Sequence, residues 1–399
     1  MGLRKIPDPW LFITTGVLAI FGLLMVGSAS SYVAMLYWGS PLTLFFKQCG
    51  HLVLGLALLI AAMNYPYRRL NDSRVMQWAF VACLVLLVLV FFFPGAGGAH
   101  RWVGRAPLRF QPSELTKLFV ILFMARVLSK EGNDINDLKR VALPALAVVA
   151  TLIALIVIEP DLGSAVVIAA VAVVMAFVAC LRAKYIGALV ALGGIGATIA
   201  ILMEPFRIKR VKDFILGLIG LQEPSYQIWQ ARIAFGNGGG LGQGFGQGQQ
   251  KAFFVPAAHT DFIYAILGEE FGLLGALALL AAFLIIMWRG LRTARNIRDP
   301  FGGYLALGCT SLIVIQAMMH ICICLGFLPT TGLPLPFISY GGSSLLVSMA
   351  AMGLLLNVSQ ECNLRPKLIV SGNRRGKKDR SAAFGAAGDR PPGGLPIAP

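Results

Sequence analysis

What most constrains this chain is the recurrence of apolar runs about 20 residues long, the length an α-helix needs to cross a hydrocarbon layer about 30 Å thick. About ten such runs can be counted along its 399 residues. A spanning segment must satisfy its own backbone hydrogen bonds, so each run is expected to be helical. With 57% hydrophobic and only 13% charged residues, the chain has too little polar surface to enclose a soluble core. It reads as an all-α polytopic membrane protein. The first run, about 10–28, lacks a small-residue cleavage site and is expected to stay as the first helix. The others fall near 44–64, 76–93, 113–130, on either side of the turn at 159–164, and near 185–203, 262–287, 303–326 and 343–360.

The net charge of +16 sits mostly in short connections and in the C-terminal stretch. It reads as membrane orientation rather than as a nucleic-acid footprint. By the positive-inside rule both termini and the arginine-bearing returns are cytoplasmic, and the long polar insert between the seventh and eighth spans, about 204–261, faces outward. Residues 1–364 form the transmembrane domain. The remainder, 365–399, is basic and then rich in Gly, Pro and Ala, and is expected to be disordered. The seven cysteines lie mostly inside apolar runs without metal-site or disulfide spacing and read as small hydrophobes.

Polar residues that persist in so apolar a chain are the candidates for chemistry. In the insert, Arg207, Lys209, Arg210 and Lys212 form either the polar face of an interfacial amphipathic helix or a docking site for a phosphorylated lipid. The run GNGGGLGQGFGQGQQK (236–251) spells no nucleotide-binding motif. It reads as a mobile outer loop able to close over a substrate. Asp261 stands where the insert re-enters the membrane, beside His259 and Thr260, where desolvation can raise its pKa toward that of a working base. The ordinary alternative is that Asp261 or Thr260 caps the next helix. Asp161, beside Glu159 in the turn EPDLGS, is expected to cap the sixth span. Glu114 and Lys117, one turn apart, are either a helix-surface pair or a charged pair facing a wet interior. Trp102, beside Arg101, suits an interfacial aromatic belt. Glu269 and Glu270 should face inward or be paired. The stretch LPTTGLPLPFISYGGSS, which contains Ser339, is either a re-entrant structural loop or a lining for substrate.

Taken together, GGAHRWV (97–103), FQPSELTKL (110–118), EPDLGS, YQIWQARIAFGNGGGLGQGFGQGQQK (226–251), HTDFIYAILGEEFG (259–272) and LPTTGLPLPFISYGGSSL (328–345) resemble the FtsW/RodA/SpoVE family, the SEDS proteins. The wording of the last motif is nearer the FtsW and SpoVE branch than RodA. The resemblance implies a ten-helix bacterial inner-membrane enzyme that polymerises lipid II into glycan strands and releases undecaprenyl pyrophosphate. It implies as partners a class B penicillin-binding protein and divisome proteins, among membrane lipids. Asp261 matches the family's essential outer-loop aspartate, Arg101 and Trp102 its Arg-Trp pair, and Glu114, Lys117 and Asp161 its central-cavity positions. Ala257 stands where a Glu often precedes the His-Thr-Asp, and His320 and Cys322 stand where Asn and Gly are usual.

A β-1,4 bond forms when the acceptor's 4-hydroxyl loses a proton and attacks the donor's anomeric carbon. Asp261 is the expected base. Arg101, Lys117, Arg210 or Lys212 is expected to offset the departing pyrophosphate, with a divalent cation, Mg or Mn, as a possible helper. The rival readings are a flippase for the lipid-linked precursor, a scaffold for division or elongation proteins, and a RodA-like elongation polymerase.

Overall fold

The protein is described from a computed structural model covering residues 6–93, 101–104, 109–130, 135–222 and 224–363. The C-terminal stretch expected to be disordered and residues 97–100 of the first motif lie outside these. Among the described residues there are twelve α-helices: α1 (Pro9–Trp38), α2 (Thr43–Asn64), α3 (Ser73–Leu89), α4 (Pro112–Ser129), α5 (Leu143–Ile158), α6 (Leu162–Val178), α7 (Ala183–Leu202), α8 (Pro205–Leu218), α9 (Tyr226–Gly238), α10 (Ile263–Asn296), α11 (Pro300–Cys324) and α12 (Gly342–Asn363). Ten of them match the expected spans; α8 and α9 lie in the insert. Eight spans are long and apolar enough to cross a membrane by length and composition alone, and α6 is a shorter apolar helix of 17 residues. The tenth, α4, carries Glu114, Lys117 and Arg126, and ten of its residues are buried in the bundle. The chain is a multi-pass membrane protein.

Several helices outrun their expected ends. α1 continues past the serines at 28–31 to Trp38 and stops where Gly39 takes a left-handed conformation (φ 70°). Serine weakens a helix too little to end one by itself, and the left-handed glycine does so instead. α10 continues through WRGLRTARN to Asn296, because arginine is a good helix former beyond the apolar region as well as within it.

At the centre lie α11 and α12, most of whose residues are buried, with α4 against α11 and α2 against α12. α7 lies at the margin, with Ala200 its only buried residue, packed on α6 and α8. One end of the bundle is stitched by charged groups. Asp8 caps α1, accepts from Arg289 near the end of α10 at 3.0 Å, and donates its N–H to Ser359 of α12. Arg68, between α2 and α3, pairs there with Asp299 and Glu361. The opposite end gathers the α5–α6 turn, the insert and the α11–α12 connection around Asp261.

Candidate active site

Asp261 does not cap the helix that follows it: α10 begins after Phe262 with no side-chain cap. Its turn is built instead on the carbonyl of Ala257, which accepts from the backbone N–H of Thr260 and Asp261 and from the Thr260 hydroxyl. The turn uses only the backbone carbonyl of Ala257, so the departure from Glu at this position leaves it intact.

The proline-rich loop between α11 and α12 wraps this turn. The Ser339 hydroxyl donates to the Thr260 carbonyl at 2.7 Å and accepts from Leu335 N–H at 2.8 Å. Tyr340 N–H donates to the His259 carbonyl at 2.9 Å. Both bonds of the Ser339 hydroxyl thus stay inside the protein. Gly332 (φ +75°) sits against the Asp261 carboxylate, 3.5 Å from where its Cβ would stand. A side chain at 332 would require strained backbone beside the carboxylate. Two residues one turn apart on α11 fix the loop's backbone. His320 Nδ1 lies 2.7 Å from the Leu333 carbonyl, and Gln316 donates to the Pro334 carbonyl at 2.9 Å. His320, where Asn is usual, therefore keeps a polar task.

Two guanidinium groups approach Asp261 from separate elements. Arg210 of α8 donates to the Thr330 carbonyl at 3.1 Å, in the same loop, and stacks on Phe206. Arg101, between α3 and α4, donates to the Pro160 carbonyl in the α5–α6 turn. Burial pushes the Asp261 carboxyl above the usual carboxylate range, while a hydrogen bond from Thr260 and the charges of Arg210 and Arg101 pull it back. Desolvation makes a carboxylate more basic, and nearby cations keep enough of it ionised to act. Burial also lowers the pKa of His259, which stays neutral near pH 7, packed beside the Tyr340 ring.

Behind this mouth lies a buried polar layer. Asp161 does cap α6, accepting from Ser164 N–H at 3.2 Å, and it also accepts from Ser113 at 2.8 Å and Gln111 at 2.9 Å. Glu114 and Lys117 are a buried pair at 2.7 Å, with Lys117 also donating to Gln316 at 3.1 Å. The surface-pair reading of these two fails because both side chains are almost fully covered. Gln316, through Lys117 on one side and Pro334 on the other, joins the polar layer to the loop around Asp261.

The expectation of a mobile glycine loop is corrected. Its backbone is pinned on α10: Gln249 and Gln250 N–H donate to the Glu269 carboxylate, while Gln243 and Gly244 N–H donate to the carbonyls of Glu269 and Glu270. Lys251 closes the segment, with Nζ 2.6 Å from Glu270 and 2.7 Å from Ser28 of α1. Glycine serves close approach here. A Cβ at Gly242 would stand 2.3 Å from the Glu270 carbonyl oxygen, and the segment fits over a kink in α10 at Gly272 (φ 65°). Both acids are buried and occupied, as expected of intramembrane carboxylates.

Around Asp261 the structure thus gathers Arg101, Arg210, His259, Thr260 and Ser339, with Asp161, Glu114 and Lys117 behind. Trp102 is half-buried beside Arg101, and Lys212 is exposed on α8. Neither shares a hydrogen bond or ion pair with the others. Gln111, Gln316 and Lys251 were missed by sequence reasoning. A glutamine inside an otherwise apolar run, as Gln316 is, was the one available signal.

A family model described as "Cell cycle protein", FtsW/RodA/SpoVE, matches residues 9–364. The probable peptidoglycan glycosyltransferase FtsW of Geobacter metallireducens is 40% identical over 346 residues, 86% of this chain and 92% of that protein. Stage V sporulation protein E of Bacillus subtilis is 38% identical over 359 residues, 89% of this chain and 97% of the relative. Among solved structures, the rod shape determining protein RodA of Thermus thermophilus matches with a TM-score of 0.66 and 27% identity, over 89% of this chain and 97% of that one. A chain from a peptidoglycan synthase complex that coordinates polymerization and crosslinking matches with a TM-score of 0.73 and 27% identity, over 89% and 98%.

Proposed function

The chain belongs to the FtsW/RodA/SpoVE family of cell cycle proteins, and from that premise we propose that it polymerises lipid II into glycan strands, with Asp261 as the base. It is a peptidoglycan glycosyltransferase. It works in the bacterial inner membrane with the Asp261 end outward, during cell division, alongside a class B penicillin-binding protein.

The observation that carries the reading is a half-buried carboxylate, raised in basicity by burial and faced by two guanidinium groups from different elements. Asp261 takes the proton from the acceptor's 4-hydroxyl as that oxygen bonds to the donor's anomeric carbon. The bond from that carbon to the diphosphate oxygen breaks, and its electron pair leaves with undecaprenyl pyrophosphate. In-line attack inverts the anomeric centre. Arg101 and Arg210 stabilise the charge gathering on the leaving diphosphate. Lys117, held by Glu114 and Gln316, supplies a third cation deeper in the bundle, and Lys212 of α8 adds positive charge at the mouth.

Among the described residues no three His, Cys, Asp or Glu side chains converge on one point. A Mg or Mn ion at such a site would take most of its ligands from the substrate's diphosphate and from water. No step above is routed through one.

The test is detergent-solubilised protein with its penicillin-binding partner and lipid II, where no second compartment exists. The expected result is polymer from the wild type and none from Asp261→Asn. A flippase or a scaffold would give no polymer from either, whatever the partner.

A further inference from the structure

Glu159 is fully buried in the α5–α6 turn, and among the described residues neither of its carboxylate oxygens has a hydrogen-bond partner. An ionised carboxylate without donors is among the costliest groups a protein can bury. Two residues on, Asp161 accepts three hydrogen bonds. Between them, Arg101 donates to the carbonyl of Pro160 while its own Nε is also buried and has no partner among the described residues. The turn thus sets the Arg101 guanidinium beside the carboxyl groups of Glu159 and Asp161. The donors converge on Asp161, and Glu159, which has none among the described residues, is the carboxyl suited to carry a proton. Burial first, and then the charge of Asp161, push Glu159 up to about 8, with Arg101 opposing.

The Arg101 Nε–H and the Glu159 acid, set on either side of the Pro160 carbonyl and both without a hydrogen-bond partner among the described residues, together lack an acceptor. We propose that Arg101, through Nε–H, and Glu159, through its acid proton, together bind one phosphoryl oxygen of the substrate's diphosphate. The inference rests on the reading that the substrate is linked to its lipid through diphosphate. An anion suits the place. It accepts from both groups, and its own charge favours retention of the Glu159 proton. The other charged groups nearby are Asp261, which Arg101 also faces, Arg207 of α8, which reaches the Val157 carbonyl at the end of α5, Arg210 beyond it, and the paired Glu114 and Lys117 of α4. None of them hydrogen-bonds to Glu159.

The test compares wild type, Glu159→Gln and Glu159→Ala as full-length protein with the partner and lipid II, from about pH 6 to about pH 9. Glutamine keeps one donor and cannot ionise, so its KM should match wild type at pH 7, whereas alanine should raise KM by about 10- to 100-fold. Above about pH 8 the wild-type KM should climb about tenfold per pH unit while the glutamine variant shows no such climb. Binding of inorganic pyrophosphate, measured without turnover, should weaken over the same range in wild type relative to Glu159→Gln. The proposal is overturned if alanine leaves KM unchanged, or if glutamine follows the wild-type climb. Pyrophosphate binding that behaves as stated, in a protein making no polymer, would sink the polymerase reading and leave the anion seat standing.

Discussion

The two halves of the long insert are attached to the bundle in opposite ways. The glycine-rich half, 236–251, has the composition of a flexible linker yet is pinned along α10 by Glu269, Glu270 and Lys251. The other half, α8, is a regular helix with no buried residue, held through Arg207 to the α5 and α7 carbonyls and through Arg210 to Thr330. Composition therefore misleads for the glycine segment, while α8 is the amphipathic helix that its pattern allowed. Order in the glycine segment comes from buried acids that supply acceptors for its backbone, and a helix needs no buried anchor to be a helix. The consequence for function is a division of labour. The pinned half leads toward Asp261, while the exposed half brings Arg210 in from the surface.

The contrast is broken most severely at Lys251. Lys251→Met leaves Glu270 buried beside Ser28 without its cation, and removing one member of a buried pair costs about 3–5 kcal/mol. The expected outcome is a large drop in melting temperature in detergent, partly recovered in the double variant Lys251→Met, Glu270→Gln. A smaller loss follows from Gly242→Ala, which puts a Cβ into the Glu270 carbonyl at positive φ. Strain of this kind costs about 1–3 kcal/mol, read by the same melting curve. A stable Gly242→Ala protein would show that the segment is looser than described. Smallest in stability is Arg210→Ala on the exposed helix, within about 0.5 kcal/mol of wild type as for other surface changes. Its polymerisation rate should nonetheless fall, because in the proposed mechanism the lost charge is the one offsetting the leaving group. A melting temperature that falls as far as for Lys251→Met would abolish the distinction between the halves.

The pH dependence of stability sharpens the same picture at the α5–α6 turn. Glu159 holds its proton in the folded state up to about pH 8, whereas in the unfolded chain it releases it in the ordinary carboxyl range. Its contribution is therefore fully present below the unfolded pKa and is lost as pH rises from there through about 8. The melting temperature of wild type should decline over that interval relative to Glu159→Gln, with no further divergence above it. Parallel curves would place an ionised Glu159 in the folded protein.

Much of the fold was legible because lipid leaves few choices: apolar runs of spanning length had to be helices, and they are. α9 was not separated from the insert, since its buried stripe of Ile228, Ala231 and Ala234 is short and its composition mixed. At the site, Asp261 and Lys117 stood out as polar residues where an apolar chain tolerates few, while Arg101 and, beyond its capping task, Asp161 were picked out by the family resemblance. What could not be read was who meets whom. Gln316 touches Lys117 and Pro334 across long separations, Ser339 splices onto Thr260, and Lys251 reaches Ser28 some 223 positions away. These contacts come from the packing of α1, α4, α10 and α11, and no local pattern encodes them.

The central claim is that the Asp261 carboxylate removes the acceptor's proton. The pH–rate profile of glycan-strand formation, wild type against Asp261→Asn at matched folded concentration, tests it most directly. A base must be ionised to act, so the wild-type kcat should fall about tenfold per pH unit below the raised Asp261 pKa. The asparagine variant should lose about 10²- to 10⁴-fold in rate and that acid limb with it. An Asp261→Asn protein that polymerises lipid II at the wild-type rate, with the acid limb intact, would contradict the account.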